Sequence, residues 1–491
     1  MNPTMPTICV ELFGTRMAPI VHGRLAVAVQ RVNLASGMAE VALGRYDRGA
    51  SVRTRSPVIH ADNSFCNDGV GDDGGAVHAQ QPPGRAPVRL SDTVTTIAPA
   101  TLHDAVAAAW NRDPQRRAIG AREDTAAARY TAGGALFPNA PSLTTSHVND
   151  KVAGSNYNYI TTQAELDMPV WLPGEGTATQ GVACAQANVA AADGEAAHLA
   201  LAAEVLDLAM QAALAGTARA VAGGRLAVAR ALATAAGQRL RVGEGSESDS
   251  LAADADAASA QIALRNAAAQ YGSAVAAFAS VTGTTVVPPL AGLPPRRPGQ
   301  TSLVLAAAQT GDGGALSSHP QIVAAERAVA AAQEQARLIR IENRDSPQIG
   351  VQGINEKQPG ARWDTRFGVV IHFPFASGAR NAPRWAEAEQ GVTEALVRLE
   401  LTCRRVTVAV QQADITLAEA EQAAVAARRA AASLDKWSGQ IERAWGLGEM
   451  PLIEVVRADS YAFDADLARD TAQTEVDAAR HRARLAEGVL L

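Results

Sequence analysis

Phe367-Gly368-Val369-Val370-Ile371-His372-Phe373-Pro374-Phe375 decides how the rest of this chain is read. At a period of two, Phe367, Val369, Ile371, Phe373 and Phe375 share one side, while Arg366, Gly368 and His372 share the other. That alternation predicts a strand with one apolar and one wet face. A counterpart runs from Tyr157 to Trp171. There Ile160, Thr162, Ala164, Leu166, Met168 and Val170 fall on one parity, and Tyr159, Thr161, Gln163, Glu165 and Asp167 on the other. Seven of the chain's twenty aromatics (Tyr157, Tyr159, Trp171, Trp363, Phe367, Phe373, Phe375) lie in or beside these two stretches. Aromatic ends on an alternating strand of about 9 to 11 residues are the weak signature of a membrane β-barrel segment.

Working outward, the same punctuation returns at an offset of 205 or 206 residues. Asp113-Pro114 matches His319-Pro320; Pro141 before Ser142-Leu143-Thr144-Thr145 matches Pro347 before Gln348-Ile349-Gly350-Val351. Met168-Pro169 matches Phe373-Pro374, and Gly243-Glu244 matches Gly448-Glu449. Four pairs in register read as an internal duplication, each half ordered helix, strand, strand, long helix, turn, helix. The expected organisation is an atypical segment over 1–89, a first repeat over 90–283, a linker over 284–300 and a second repeat over 301–491. Pro288, Pro289, Pro294, Pro295 and Pro298 make the linker stiff and extended.

No proline interrupts the chain between Pro173 and Pro288 or between Pro383 and Pro451, and alanine, leucine, valine, glutamate and arginine dominate there. Both stretches are predicted helical. Larger apolar residues fall at sevens: Leu199 and Leu206, Leu201 and Leu208, then Leu214, Val221 and Val228; in the second half Leu399 and Val406, then Cys403, Val410 and Leu417. This is a coiled-coil seam filled out with alanine. A helix from Ala178 to Arg241 is about 95 Å long, so an elongated molecule is expected. Each long helix stops at a glycine-bearing turn, Val242-Gly243-Glu244-Gly245 and Trp445-Gly446-Leu447-Gly448, after which helical patterning resumes. The expected fold class is mainly α, built of duplicated helical hairpins, with two strands per half.

Composition narrows the function. Lys and Arg number 44 against 50 Asp and Glu, with no basic concentration, which excludes a strongly basic nucleic-acid binder. The apolar runs are alanine tracts broken by charges, short of the roughly 20 apolar residues that a spanning helix needs. Cys9, Cys66, Cys184 and Cys403 are far apart, without the spacing of a zinc site or a disulfide framework. Cys184 and Cys403 read as small seam hydrophobes. No GxSxG, P-loop, HExxH or Rossmann fingerprint occurs, so no enzyme and no cofactor is expected.

Four strands cannot close on themselves, and lipid cannot satisfy an open edge. Strands in a membrane therefore require several chains to share one barrel, with two chains giving eight strands and three giving twelve.

These residues resemble the TolC-like outer membrane factors, the exit ducts of bacterial tripartite efflux pumps and type I secretion systems. The resemblance covers about Leu90 to Leu491 and is carried by Leu102-His103-Asp104-Ala105-Val106, Asn111-Arg112-Asp113-Pro114, the Gly243 and Gly448 turns and the two strand-ending prolines. It implies a homotrimer with a twelve-stranded β-barrel in the outer membrane and an α-barrel of long helices across the periplasm. The implied partners are a periplasmic adaptor protein, an inner-membrane RND-type pump and outer-membrane lipid. Val369 to Phe375, preceded by Gln358-Pro359-Gly360 and Trp363, looks most like the branch serving exporters of cobalt, zinc and cadmium or of copper and silver.

By position from the turns, Asp249 and Glu454 match the acidic residues that ring the periplasmic aperture, while Arg457 replaces a further acid. The turns Arg241, Gly243, Glu244, Gly245 and Trp445, Gly446, Gly448, Glu449 match the tips that adaptor hairpins grip. Ile160, Leu166, Met168, Phe367, Val369, Ile371 and Phe373 are the expected lipid-facing set. Plainer readings stand beside these. Acids favour any helix N-terminal turn, Trp445 also reads as packing between helices, and His372 as a residue lining a wet lumen. The whole chain also reads as a soluble coiled-coil scaffold without a pore. At the amino terminus, Val77-His78-Ala79 before Gln80-Gln81 resembles a signal-peptidase site, giving the expectation that the mature chain starts at Gln80.

Overall fold

The duplicated Xaa-Pro pairs are helix starts. Asp113 caps α2 (Pro114–Gly133) by accepting from the Gln115 N–H at 2.7 Å, and His319 caps α5 (Pro320–Ile341) by accepting from the Gln321 N–H at 3.2 Å. In both, proline takes the first helical position, where its missing N–H is not needed. A shorter helix, α1 (Leu102–Arg112), precedes α2 and opens with a capping box between Thr101 and Asp104. The computed structural model describes residues 101–151, 154, 157–294 and 317–491, all within one compact unit. The expectations for the 1–89 segment and the Gln80 start lie outside the described residues, as does the end of the linker.

Two helical hairpins follow from the long proline-free stretches. α3 (Glu175–Arg241) has 67 residues and returns as α4 (Glu247–Thr282); α6 (Gly378–Gly446) has 69 and returns as α7 (Leu452–Ala486). At 1.5 Å per residue the two long helices span about 100 Å each. The predicted start of the second is corrected, because α6 begins at Gly378 and runs through Pro383. Only its first turns feel the missing N–H.

The seam is clearest on α6, where Cys403, Val410, Leu417, Ala424, Ala431 and Ser438 are buried seven apart; Ala253, Ala260 and Ala267 on α4, and Ala458, Ala465, Ala472 and Ala479 on α7, repeat the interval. On α3 the expected series holds only at Leu199, Leu201 and Leu206. Further along, Ala212, Leu226 and Ala229 take the buried places and Leu214, Val221 and Val228 are half-buried. The reason is that α3 packs on α1, α2, α4, α5 and α7, so no single stripe serves every neighbour. By length and composition α3 is apolar enough to cross a membrane, contrary to the expectation that no stretch qualifies, and it packs on five other helices of the bundle. Gly223-Gly224 leaves it unbroken. Cys184 on α3 is half-buried, and Cys403 on α6 is buried with Ile322, Val406 and Val410.

The largest core gathers where α1, α3, α4 and α7 meet. Leu102, Ala105, Val106 and Ala109 pack on Leu199, Val205, Leu206, Phe278, Ala478 and Leu485.

The strands form one antiparallel sheet in the order β1-β2-β3-β4: β1 (Ser142–Asn149), β2 (Ile160–Pro169), β3 (Gln348–Lys357) and β4 (Asp364–His372). β2 pairs with β3 across the duplication, so each repeat supplies half the sheet. Among the described residues both edge strands are open. Phe373 and Phe375, expected in the last strand, lie just beyond it.

Candidate functional site

Residues opposite one another across a sheet share a face. Leu143, Leu166, Val351 and Val369 form one row across all four strands, and Met168, Ile349 and Ile371 form the next row toward the helices. In the opposite direction the row is Thr145, Ala164, Gly353 and Phe367. The Phe367 ring lies beside Gly353, where a Cβ would meet it at 3.4 Å, an ordinary contact. Beyond it the face turns polar, through His147, Thr162, Asn355 and Thr365.

The other face carries Thr144, Glu165, Gln352 and Gly368 in one row, with Asp167, Gln163, Arg366 and His372 on neighbouring rows. The apolar face is open, and on the polar face Thr144, Arg366, Gly368 and His372 are exposed as well. Phe367, Val369 and Ile371 are 83%, 70% and 68% exposed, while Gln163, Glu165, Asp167 and Gln352 are half-buried. Among the described residues no helix packs along either face, and the strands make their main contacts with each other. Of the expected lipid-facing set, Leu166, Phe367, Val369 and Ile371 form the exposed band with Phe373 just past its end. Met168 is half-buried in the same band. Ile160 falls outside it, half-buried in a row with Asn149 and Lys357 beyond the polar row.

At the far end of the helices, the two turns share a backbone. Gly243 and Gly448 take φ of 78° and 76°, and the amides of Glu244 and Glu449 close back onto the carbonyls of Arg239 (2.9 Å) and Ala444 (2.9 Å). This left-handed helix end needs glycine. It leaves Val242 and Leu447 projecting, along with the exposed Arg241, Glu244 and Glu449. Asp249 and Glu454 both occupy the third position of the returning helix. Ser246 accepts from the Asp249 N–H at 3.1 Å, and Asp249 makes no ion pair among the described residues. Glu454 accepts from Arg457 at 2.8 and 3.1 Å.

Trp445 is half-buried against Leu232, Ala236, Ala253, Leu452 and Val455. The Arg239 guanidinium lies 4.1 Å over its ring and donates to the carbonyls of Trp445 and Gly446, each at 3.1 Å. A cation thus sits on the negative end of the α6 dipole and ties the two tips together. Sequence reasoning singled out the tryptophan and missed the arginine; the available signal was a base in the last turn before Gly243.

Deeper in the hairpins, Ser438 donates to the buried Asp459 carboxylate at 2.6 Å. Burial pushes that carboxyl above its usual range, the Ser438 hydroxyl opposes the rise, and the Asp256 charge adds to it. At the other end of the helices, burial lowers the imidazoles of His198, His319 and His481 below their ordinary value of 6.5.

No protein-family model and no curated protein matches the chain. Solved structures do. A membrane protein from Pseudomonas aeruginosa is similar over 84% of this chain and 97% of its own, at 19% identity and a TM-score of 0.62. The outer membrane protein VceC of Vibrio cholerae matches over 79% and 96%, at 16% identity and a TM-score of 0.59. The CmeC outer membrane channel of Campylobacter jejuni matches over 79% and 85%, at 14% identity and a TM-score of 0.61. At these identities the likeness is one of fold.

Proposed function

We propose that this chain, which has the fold of the TolC-like outer membrane factors, is the outer-membrane duct of a tripartite efflux system. The observation that supports this most is the exposed apolar band across one face of the sheet, with polar residues on the other face and, among the described residues, both edges open. Water penalises that arrangement and lipid favours it, provided the edges are paired. A second and third copy supply the pairing: β4 of one chain meets β1 of the next, and three copies close twelve strands into a barrel lined by Glu165, Asp167, Gln163 and His372.

The duct is passive. Energy comes from an inner-membrane RND-type pump, reached through a periplasmic adaptor that grips the Arg241–Gly245 and Trp445–Glu449 turns. Three copies of Asp249 around the axis raise the local cation concentration at the aperture, whereas Glu454, neutralised by Arg457, contributes less. The cargo is a heavy-metal ion or a small toxic compound, the first supported by the likeness of the Gln358–Phe375 region to metal-exporting branches. Leu166→Arg or Ile371→Arg tests the membrane reading. Either should abolish recovery of heat-resistant oligomer from outer membranes, and normal assembly of both would overturn it.

A further inference from the structure

The helix-joined end of the sheet carries four arginines, three of them neutralised. Arg340 pairs with Glu389. Arg380 grips both oxygens of Asp345 at 2.5 and 2.7 Å, and Arg384 donates to the Glu342 carboxylate at 2.8 Å and to its carbonyl at 3.0 Å. Arg344, between α5 and β3, has no acidic partner among the described residues. Its guanidinium lies 4.5 Å over the Phe373 ring, its Nε is buried without a hydrogen-bond partner, and Phe373 meets the exposed Phe375 edge-on at 5.9 Å.

Phe373 continues the parity of Phe367, Val369 and Ile371, so the stacked cation stands where the apolar band ends. A guanidinium fixed flat on a ring keeps N–H groups at its rim for a phosphate, and an unpaired cation at this level attracts anionic headgroups. We infer that Arg344, held by Phe373 and Phe375, docks the phosphate of an anionic phospholipid in the leaflet nearest the helices. The inference rests on the duct reading, which puts the apolar band in lipid.

The test uses the full chain, purified in detergent and offered phosphatidylglycerol or phosphatidylcholine, with retained lipid counted by native mass spectrometry. Wild type should retain phosphatidylglycerol preferentially, and Arg344→Gln should weaken retention about fivefold, the worth of one surface arginine. Arg344→Lys should restore part of it, and Phe373→Leu should resemble Arg344→Gln. Inorganic phosphate at millimolar concentration should leave the lipid in place; displacement of the lipid by phosphate alone would show a free-phosphate site and overturn the lipid assignment. Planar-bilayer recording on the same samples separates the two readings. Wild type that forms channels but retains phosphatidylglycerol no better than Arg344→Gln would overturn the lipid site alone. Wild type that forms no channels would overturn the duct and the site together.

Discussion

Laid over one another at their shared offset, the two repeats keep their backbone and change their side chains. Gly243 and Gly448 turn with the same φ, and Gly283 and Gly488, at 79° and 80°, end the returning helices alike. The contents diverge. Phe278 in the first repeat stands where the second has Ala483, Arg239 where it has Ala444, and the capping Ser246 where it has Pro451, which offers no side-chain cap. Duplication preserved what the chain path requires and released what packing and charge could vary. The first repeat holds the largest buried ring and the tip clasp; the second holds the partner surfaces that receive them.

The strongest way to break that comparison is Phe278→Ala. Phe278 is fully buried in the core shared by both repeats, and its truncation should cost about 3 to 5 kcal/mol in chemical denaturation. Ala483→Phe at the matching place adds volume to a closed seam and should cost about 1 to 3 kcal/mol. Equal, small effects would mean that the core is not asymmetric.

Next come the matched strand residues. Leu166→Arg and Ile371→Arg should each cost roughly 2 to 4 kcal/mol in folding from detergent into bilayers, whereas Ile160→Arg, beyond the polar row, should cost roughly 0 to 1. If Ile160→Arg were as damaging as the other two, the band would be taller than its register indicates.

At the tip, Arg239→Ala removes two charge-assisted bonds and a stacked cation, a loss of about 1.5 to 3 kcal/mol that protease nicking near Gly243 would report. Arg239→Lys should recover little of it, since a lysine cannot span both carbonyls while stacking.

The pH response divides along the helices. His319 accepts its cap bond as neutral imidazole, and His481 donates to the Leu290 carbonyl at 3.0 Å. With folded values below 6.5, these groups leave stability unchanged well above that pH and reduce it as pH falls through the window below it. Asp459 has the opposite sign. Raised above the ordinary carboxyl value, it contributes fully below that value and loses its contribution as pH climbs through the folded one. Asp459→Asn should therefore stabilise the hairpins at neutral pH, and His481→Gln should flatten the acid limb, both seen in melting profiles. The smallest expected effect is on selectivity, where Asp249→Ala should reduce cation preference more than Glu454→Ala.

The repeat, both hairpins, the turns and all four strands were legible in the sequence because each has a short-range cause: period two, period seven, a proline cap or a glycine turn. What was not legible depends on contacts between distant residues. The drift of the α3 seam follows from its five neighbours, the loss of Ile160 from the apolar band follows from cross-strand register, and the Arg239 clasp joins residues from opposite repeats. The run of α6 through Pro383 was hidden because a proline near a helix start looks the same in sequence as one that ends it.

The most direct test of the account is single-channel recording from the purified full chain in a planar bilayer, paired with the mass of the conducting species. Discrete conductance steps from a three-chain assembly, lost in Ile371→Arg, are the predicted result. A protein that stays soluble without detergent and passes no current would contradict it and leave the chain as a scaffold.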